Sequence, residues 1–323
     1  MSGAAPAGPA RSAGLDLRAA MVLVFGIACV STAAVIFRQA EAPALAKAAW
    51  RLIFASAVLL PLALVRSRAA LAGLSVADWR RAVLAGAALA LHFGLWVPSL
   101  DYTSVASSVV LVTTHPFFVG LAAPFVLGER VGRKLATGIG LAFVGTAVVV
   151  VGDSGGLSGL AWGGGSAARA IVGDALALGG AVAAAAYFIL GRQLRARLPL
   201  LPYVAVVYGI AAAILVGAAV AGGASLTGYP PATWGRLVLL ALVPQILGHS
   251  SFNWALEHLS ATFVAGAVLG EPIGGTLLAW WRLGERPPNP ALAGGALILA
   301  GLAIAARGEA AAGPDGDGRD VAR

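Results

Sequence analysis

Five ionisable side chains lie well inside long apolar stretches of the chain: His92, His115, His249, Glu271 and Arg51. An ionisable group in hydrocarbon costs about 3 kcal/mol on insertion scales, so it faces the interior of a helix bundle and marks a functional site. A carboxylate in such a place can bind a cationic group, form an ion pair with Arg51 or carry a proton. These residue types therefore predict a polar site inside a largely apolar protein.

His115 and Glu271 each precede a proline, Pro116 or Pro272, near the middle of an apolar stretch. Proline removes one backbone hydrogen bond and frees the carbonyl four residues earlier. Helices that are broken at equivalent mid-membrane positions of two repeats are the best sequence indication of a transporter's binding site. The alternative is a kinked packing helix whose polar residue is satisfied by its neighbours.

Two other apolar stretches carry polar stripes, in each of which three residues share one helical face. A single stripe often forms only an interhelical hydrogen-bond seam, worth about 1 kcal/mol per bond. Two stripes at nearly matched positions favour a shared, water-lined cavity, to which Ser31, Thr32 and Tyr187 are candidate additions. The stripes consist of His92, Trp96 and Ser99 in the first half and of Gln245, His249 and Asn253 in the second.

Neither a metal site nor a cofactor is predicted. The histidines are scattered over different stretches, with no pair four residues apart and no H-E-x-x-H motif. The single cysteine, Cys29, excludes a disulfide or a cysteine-based metal site within one chain. The glycines between 152 and 170 have no preceding strand and no following Gly-Lys-Ser/Thr, so they do not form a phosphate-binding loop.

One segment of the chain occurs twice. Residues 100–145 align without a gap on residues 256–301, with 13 of 46 positions identical. The aliphatic matches carry little weight in so apolar a chain. The informative matches are a proline in the middle, Gly-Glu-Arg 12 residues later and two glycines beyond, at 138 and 145 in one copy and 294 and 301 in the other. The chain is therefore built from two copies of one unit.

The composition predicts a protein that crosses the membrane many times. Of 323 residues, 59% are hydrophobic and 11% are charged, and the mean hydropathy is +0.87, whereas soluble domains carry about 25% charged residues. The net charge is +8, but the basic residues lie in short loops rather than on one polar face, which argues against nucleic-acid binding. The lipid bilayer is the expected surroundings of the chain.

Ten apolar runs are long enough to span a hydrocarbon core of about 30 Å as helices. Lipid offers no partners for backbone polar groups, and the alternation typical of a barrel is missing, so the fold class is all-α. The predicted spans cover residues 17–37, 44–65, 80–100, 104–127, 134–152, 171–191, 201–222, 234–255, 260–282 and 290–307.

Each unit has an odd number of spans, five, so the second unit must enter the membrane from the opposite face, which gives inverted repeats. Basic residues favour the loops on the side of the termini by about two to one, which predicts cytoplasmic termini. The domain boundaries are a disordered tail at 1–16, a first repeat at 17–152, a Gly/Ser-rich linker at 153–170, a second repeat at 171–307 and a disordered tail at 308–323.

Glycine spacing predicts two close contacts between helices. Gly266, Gly270 and Gly274 recur every four residues on span 9 and form a close-packing face. The glycines of the repeated segment suggest that spans 5 and 10 also pack tightly. The Gly-Glu-Arg sequences at 128–130 and 284–286 lie at helix ends, where we expect a turn with a local ion pair that fixes the loop.

The chain resembles EamA-type members of the drug/metabolite transporter superfamily. The resemblance rests on two proline-centred segments that end in Gly-Glu-Arg, on Glu271-Pro272 in the second copy and on Trp50-Arg51 in span 2, and it covers residues 17–307. It implies that spans 1–4 and 6–9 surround a central cavity and that spans 5 and 10 are peripheral. His115 departs from the apolar or small residue usual before the first proline.

The resemblance also implies a secondary transporter that moves small metabolites, amino acids or drugs by alternating access, often outward. Without an ATP motif, the energy must come from proton coupling, exchange or facilitated flux. We expect a multi-pass protein of the bacterial cytoplasmic (inner) membrane and not an enzyme, and a homodimer is left open. A polytopic membrane enzyme would need clustered Asp, His or Arg at the membrane face; a non-transporting scaffold with the same fold is the other alternative.

Overall fold

A computed structural model describes residues 17–102, 108, 111–129, 131–153, 167–283 and 289–312. Its regular elements are all helical within these ranges. In chain order they are α1 (Leu17–Val30), α2 (Ala33–Gln39), α3 (Ala44–Arg66), α4 (Arg68–Ala72), α5 (Val76–Ser99), α6 (His115–Val126), α7 (Arg133–Asp153), α8 (Ala167–Arg195), α9 (Leu200–Ala221), α10 (Pro231–Leu240), a π-helical segment (Ala241–His249), α11 (Ser250–Ala255), α12 (Ala261–Ala267), a 3₁₀ turn (Val268–Gly270), α13 (Glu271–Leu283) and α14 (Asn289–Ala312).

Six helical stretches in the described part of the chain are long and apolar enough to cross a membrane, which makes this a multi-pass membrane protein. Apolar side chains such as Phe125, which is 90% exposed, cover the outer surface, as hydrocarbon surroundings require. Two further apolar helices, at His115–Val126 and Leu292–Gly308, are shorter. The six stretches are Leu17–Phe37, Ala44–Arg66, Val76–Ser99, Val172–Arg195, Leu200–Ala221 and Pro231–Ala255.

The helices pack in pairs that follow the predicted repeat. α7 packs along α14, α3 along α9, and α6 against α12. α5 packs on α8, and α1 packs on the π-helical segment and α11. In terms of the ten predicted spans, these pairs are 5–10, 2–7, 4–9, 3–6 and 1–8. If each span is replaced by its equivalent in the other repeat, five places away, the pair 3–6 becomes 8–1 and the pairs 5–10, 2–7 and 4–9 map onto themselves. The set of pairs is therefore symmetric.

Glycines bring α7 and α14 into backbone contact, as their spacing predicts. A Cβ on Gly138 would lie 2.5 Å from the carbonyl oxygen of Gly301, and one on Gly145 would lie 2.6 Å from that of Gly294. The order of the contacts is reversed along the two helices, so α7 and α14 are antiparallel. This pair joins the last helix of each predicted repeat.

The glycines of predicted span 9 face α7 and the region of α1. A Cβ on Gly266 would meet Ile139 of α7, one on Gly270 would approach Ile27 of α1, and one on Gly274 would collide with Ser31 beside α1. The close-packing face expected here is therefore present, and it holds the second proline-centred segment against the first helix of the chain.

The helices are irregular where the prolines lead us to expect it. A turn at Thr113 and Thr114 precedes α6, whose first two residues are His115 and Pro116. In the second half a 3₁₀ turn ends at Gly270, directly before Glu271. Residues 104–107 and 109–110 of predicted span 104–127 lie outside the described residues.

Predicted span 234–255 contains a π-helical segment that the sequence did not indicate. In it the Ser250 N–H donates to the carbonyl of Gln245, five residues earlier, and Pro244 lies inside the segment. Helices with one wider turn often occur at functional sites, because the wider turn re-aims side chains. Here the segment carries Gln245 and His249, two residues of the second polar stripe.

The predicted tails and linker fall mostly on residues that the structure does not describe. Residues 1–16, 154–166 and 313–323 lie outside the described ranges. Where the chain is described, helix extends further than predicted: α8 begins at Ala167, inside the predicted linker, and α14 continues to Ala312, inside the predicted C-terminal tail.

Candidate functional site

A cavity of about 60 Å³ lies between helices of both halves of the chain. This volume holds only about four water molecules. Six of the predicted site residues line it together with Tyr187, a candidate addition. The polar and aromatic lining consists of Arg51, His92, Trp96, His115, Tyr187, His249 and Glu271, with Thr113 and Phe188 beside them.

Arg51 is buried at one side of this cavity, with 1% of its surface exposed. It lies two turns inside α3, and its Nε donates to Oε1 of Gln245 at 2.7 Å. The guanidinium carbon lies 4.5 Å from the ring centroid of Phe93 and 5.9 Å from that of Phe37. A cation over an aromatic face is attracted by the ring quadrupole, the more strongly when desolvated. The aromatic rings and the amide therefore hold the charge in place.

The first polar stripe forms one wall of the cavity. The Nδ1 atom of His92 lies 3.0 Å from the carbonyl oxygen of Gly180 on α8, and its ring stacks on Trp96 at 5.9 Å. Ser99 lies outside the cavity lining. Its hydroxyl donates to the carbonyl of Trp96, and its Oγ lies 2.6 Å from the Oγ of Ser108. The close approach of Gly180 to the α5 backbone is what brings α8 within reach of His92.

His115 lines the cavity from the start of α6. Its Nδ1 lies 3.1 Å from the carbonyl oxygen of Val112, the carbonyl that Pro116 leaves without its helical partner. The ring stacks on Phe188 at 5.4 Å with planes 11° apart. The proline thus creates the acceptor that orients the imidazole, while Nε2 has no hydrogen-bond partner in the protein.

Glu271 lines the same cavity from the start of α13. The hydroxyl of Ser31 donates to the backbone carbonyl of Glu271 at 3.1 Å, which fixes α13 against the first helix. Within the described part of the chain, no ion pair within 4.0 Å joins Glu271 to Arg51. The Arg51 guanidinium and the Glu271 carboxyl group thus face one cavity without a direct ion pair.

Gln245 and Asn253 belong to the predicted site but lie outside the cavity lining. Gln245 binds Arg51, as described above. Asn253 lies one layer further along the bundle, where the hydroxyl of Tyr187 donates to its Oδ1 at 2.7 Å and its Nδ2 donates to the hydroxyl of Tyr208 at 3.0 Å. We call Tyr187, Asn253 and Tyr208 the tyrosine layer. Tyr208 and Phe188 are not indicated by the sequence, because an aromatic residue at helical spacing looks like ordinary packing.

Buried polar atoms without partners are concentrated at the cavity. Among the described residues, eight buried side-chain nitrogen or oxygen atoms have no hydrogen-bond partner. Leaving such a group unpaired costs about 1–3 kcal/mol, so a ligand that supplies the missing partners is stabilised. Five of the eight belong to predicted site residues: Nη2 of Arg51, Nε1 of Trp96, Nε2 of His115, Nε2 of Gln245 and Nδ1 of His249.

A second group of charged residues lies beyond the tyrosine layer. The carboxylate of Glu129, after α6, accepts from Arg192 at 3.3 Å and from the Ala261 N–H at 3.1 Å. Beyond the local ion pair expected at the first Gly-Glu-Arg, Glu129 thus connects helix ends that are distant in sequence. Arg130 and the second Gly-Glu-Arg at 284–286 lie outside the described residues.

The chain matches the model of the EamA-like transporter family over residues 17–151 and 171–307. It is 27% identical to a protein of Archaeoglobus fulgidus named uncharacterized transporter, over 68% of this chain and 73% of that one. It is 29% identical to a probable terminal-alkyne amino-acid exporter of Streptantibioticus cattleyicolor, over 63% of this chain and 64% of that one. These are names of transporters rather than of enzymes.

Two further comparisons agree on the fold and on the class of protein. The transporter YyaM of Bacillus subtilis, also named uncharacterized, is 25% identical over 67% of this chain and 69% of its own length. A solved crystal structure superposes with a TM-score of 0.74 at 21% identity, over 89% of this chain and 96% of that chain. At this identity the superposition shows a shared fold alone.

Proposed function

Because the chain belongs to the EamA-like transporter family, we propose that it is a secondary transporter that exports a small carboxylate-bearing metabolite, in the first place an amino acid. The observation that carries this proposal is the set of buried, unpartnered polar atoms in and beside one cavity. The alternatives of a membrane enzyme and of a non-transporting scaffold gain no support from any observation described above.

Arg51 is the proposed carboxylate-binding residue. One of its five N–H donors is taken by Gln245, and Nη2 is buried and unpartnered. Arginine binds carboxylates through two parallel hydrogen bonds, and such charge-assisted bonds are about twice as strong as neutral ones. The Nε2 of Gln245 is an additional buried donor without a partner. A group that brings two acceptor oxygens and a negative charge would satisfy these donors together.

Glu271 is the proposed partner of a cationic group on the same substrate. Because it lines the cavity without an ion pair to Arg51, the cavity offers one positive and one negative group to a ligand. A zwitterion such as an α-amino acid matches this arrangement. The name of the Streptantibioticus relative, a probable amino-acid exporter, supports the same substrate class.

Alternating access between two inverted repeats is the proposed mechanism. The antiparallel crossing of α7 and α14 and the symmetric set of helix pairs support two inverted repeats of five spans, at 17–152 and 171–307, joined by the linker 153–170. At about 60 Å³ the cavity is too small to hold a metabolite in this conformation, so helices must move apart for a substrate to bind and leave. Both termini are proposed to be cytoplasmic, as the loop charges indicate.

The energy source is proposed to be an ion gradient or exchange, with His115 and Glu271 as the residues that could couple it. Both are ionisable, both face the cavity, and both begin a helix directly after a break. A break of this kind lets the two halves of a span move separately. His92 and His249, which face the same cavity, are proposed to contribute hydrogen bonds to the substrate.

The test is uptake and efflux in proteoliposomes with amino acids and two sets of matched analogues. One set lacks the carboxylate (amino-acid amides), and the other lacks the amine (the corresponding carboxylic acids). We expect transport of at least one amino acid, strong loss with its amide and weaker loss with its deaminated acid. Transport of amides as fast as of amino acids would contradict the carboxylate proposal. Absence of transport for every carboxylate tested would contradict the proposed function.

A further inference from the structure

We propose, resting on the transport function above, that Glu129, Arg192, Arg195 and Glu257 form a polar seal that holds the cavity closed toward one membrane face. Nothing in the family match or in the names of the relatives assigns a role to these residues. The seal lies where the ends of α6, α8 and α11 meet the start of α12. It comprises the charged residues just named and the backbone groups they bind.

Glu129 connects the first half of the chain to the second. Its carboxylate accepts from Nε of Arg192 at 3.3 Å, and both its oxygens lie 3.1 Å from the Ala261 nitrogen. Ala261 is the first residue of α12, so its N–H lacks a partner within the helix and attracts negative charge. One side chain of the first repeat thus holds two helix ends of the second repeat together.

Arg195 connects the ends of α8 and α11. It is 2% exposed, and its Nε donates to the backbone carbonyl of Asn253 at 2.9 Å. Its two other nitrogens donate to the carbonyl of Leu198 and to the carboxylate of Glu257. A buried guanidinium needs several acceptors to offset its desolvation, and here all of them come from the helix ends that it joins.

The tyrosine layer connects the cavity to the seal. Tyr187 lines the cavity, and Arg192 follows five residues later on α8, about 7.5 Å along the helix axis. Asn253 binds Tyr187 through its side chain and Arg195 through its backbone. An opening on this face must therefore separate Tyr187 from Asn253 and break the contacts of Arg192 and Arg195. If a substrate displaces Tyr187, Asn253 loses or follows its hydrogen bond to Tyr187, and the backbone of Asn253 then moves relative to Arg195 of the seal.

The chemistry of the seal suits a contact that opens and closes. The side chains of Glu129 and Arg192 are 13% and 20% exposed, and that of Glu257 is 47% exposed. Water therefore reaches Glu257 freely and Glu129 and Arg192 in part, and it can replace their partners when the contacts break. The glycine contact between α7 and α14 offers no such replacement, since two helices packed at backbone distance would have to part.

The test measures access to the cavity from each face. Ala184, which lines the cavity, is replaced by cysteine in a chain whose lone cysteine is removed by Cys29→Ala. Oriented vesicles are treated on either side with a small, membrane-impermeant thiol reagent, in the parent and in Glu129→Gln, Arg192→Gln and Glu129→Asp. We expect about fivefold faster labelling from the seal face in the two Gln variants, because a shift of about 1 kcal/mol in the opening equilibrium changes the population of the open form about fivefold. In Glu129→Asp, which keeps the carboxylate, we expect a rate near that of the parent.

The matched control is Asp78→Asn, which removes the ion pair with Arg81 inside α5 at 3.4 Å and touches no seal residue. It should label like the parent. Equal rates in Glu129→Gln, Arg192→Gln and Asp78→Asn would overturn the seal even if transport is observed. Faster labelling in the Gln variants, together with no transport of any carboxylate, would uphold the seal and refute the proposed function.

Discussion

Gly138 on α7 and Gly301 on α14 are in backbone contact, and a Cβ on either would lie 2.5 Å from the carbonyl oxygen of the other. Because backbone atoms cannot move aside like a flexible side chain, Gly138→Ala should separate the helices. Overpacking of this kind costs about 1–3 kcal/mol, so we expect a lower melting temperature in detergent.

The control for this prediction is Gly140→Ala on the same helix, where an added Cβ meets nothing within 4 Å. Alanine is the better helix former, so this variant should melt at the parental temperature or slightly above it. Equal melting of the two variants would show that the glycine contact does not hold α7 and α14 together.

Arg51→Lys should weaken binding of a carboxylate substrate while preserving the buried charge. Lysine lacks the planar fork that binds two oxygens at once, and a charge-assisted hydrogen bond contributes about 1.5–3 kcal/mol. Affinity should therefore fall about 10- to 100-fold, measured by ligand-induced thermal stabilisation. Arg81→Lys, at the partly exposed start of α5, is the control. Unchanged affinity in Arg51→Lys would place the carboxylate elsewhere.

Glu271→Gln should lower transport much more than it lowers the yield of folded protein. The amide has nearly the same shape but neither the charge for an ammonium group nor a titratable proton. Transport in proteoliposomes and folded yield by size-exclusion chromatography measure the two effects separately. An equal loss of both would assign Glu271 to packing. If Glu271 carries the coupled proton, the variant's residual transport should no longer respond to an imposed pH gradient.

Asn253→Leu should destabilise the tyrosine layer. Leucine keeps the approximate volume but leaves the buried hydroxyl of Tyr187 without its acceptor and that of Tyr208 without its donor. Each unsatisfied buried group costs about 1–3 kcal/mol, so thermal unfolding should shift clearly downward. Ser251→Ala on the same helix, whose hydroxyl binds only the carbonyl of Leu247, should leave stability close to that of the parent. If both variants melt alike, the layer contributes little.

Much of the architecture could be predicted because it depends on local rules. Apolar runs fix the helices, prolines mark where they break, and the glycines at 138, 145, 294 and 301 indicate a contact at backbone distance. The two residues that precede the prolines, His115 and Glu271, lie at the start of helices that line one cavity. Their roles in transport remain predictions.

The long-range partners could not be predicted from the sequence. Arg51 and Gln245 are separated by 194 positions, and Glu129 and Arg192 by 63, and no spacing rule links such pairs. The wider turn at 241–249 was also not indicated, although it orients Gln245 and His249. For Glu129 the adjacent Arg130 suggests a local partner. Its partners Arg192 and the Ala261 N–H come close only because the ends of α6 and α8 meet the start of α12.

The reversed order of the contacts between Gly138 and Gly301 and between Gly145 and Gly294 has a bearing on how such a chain originated. Two identical five-helix proteins that met through this glycine surface would be related by a rotation axis lying in the plane of the bilayer. One of them would have its amino end inside the cell and the other outside. If the two halves are the inverted repeats proposed above, an ancestral gene of half this length encoded a protein able to insert either way up, until duplication allowed each copy to settle in one orientation.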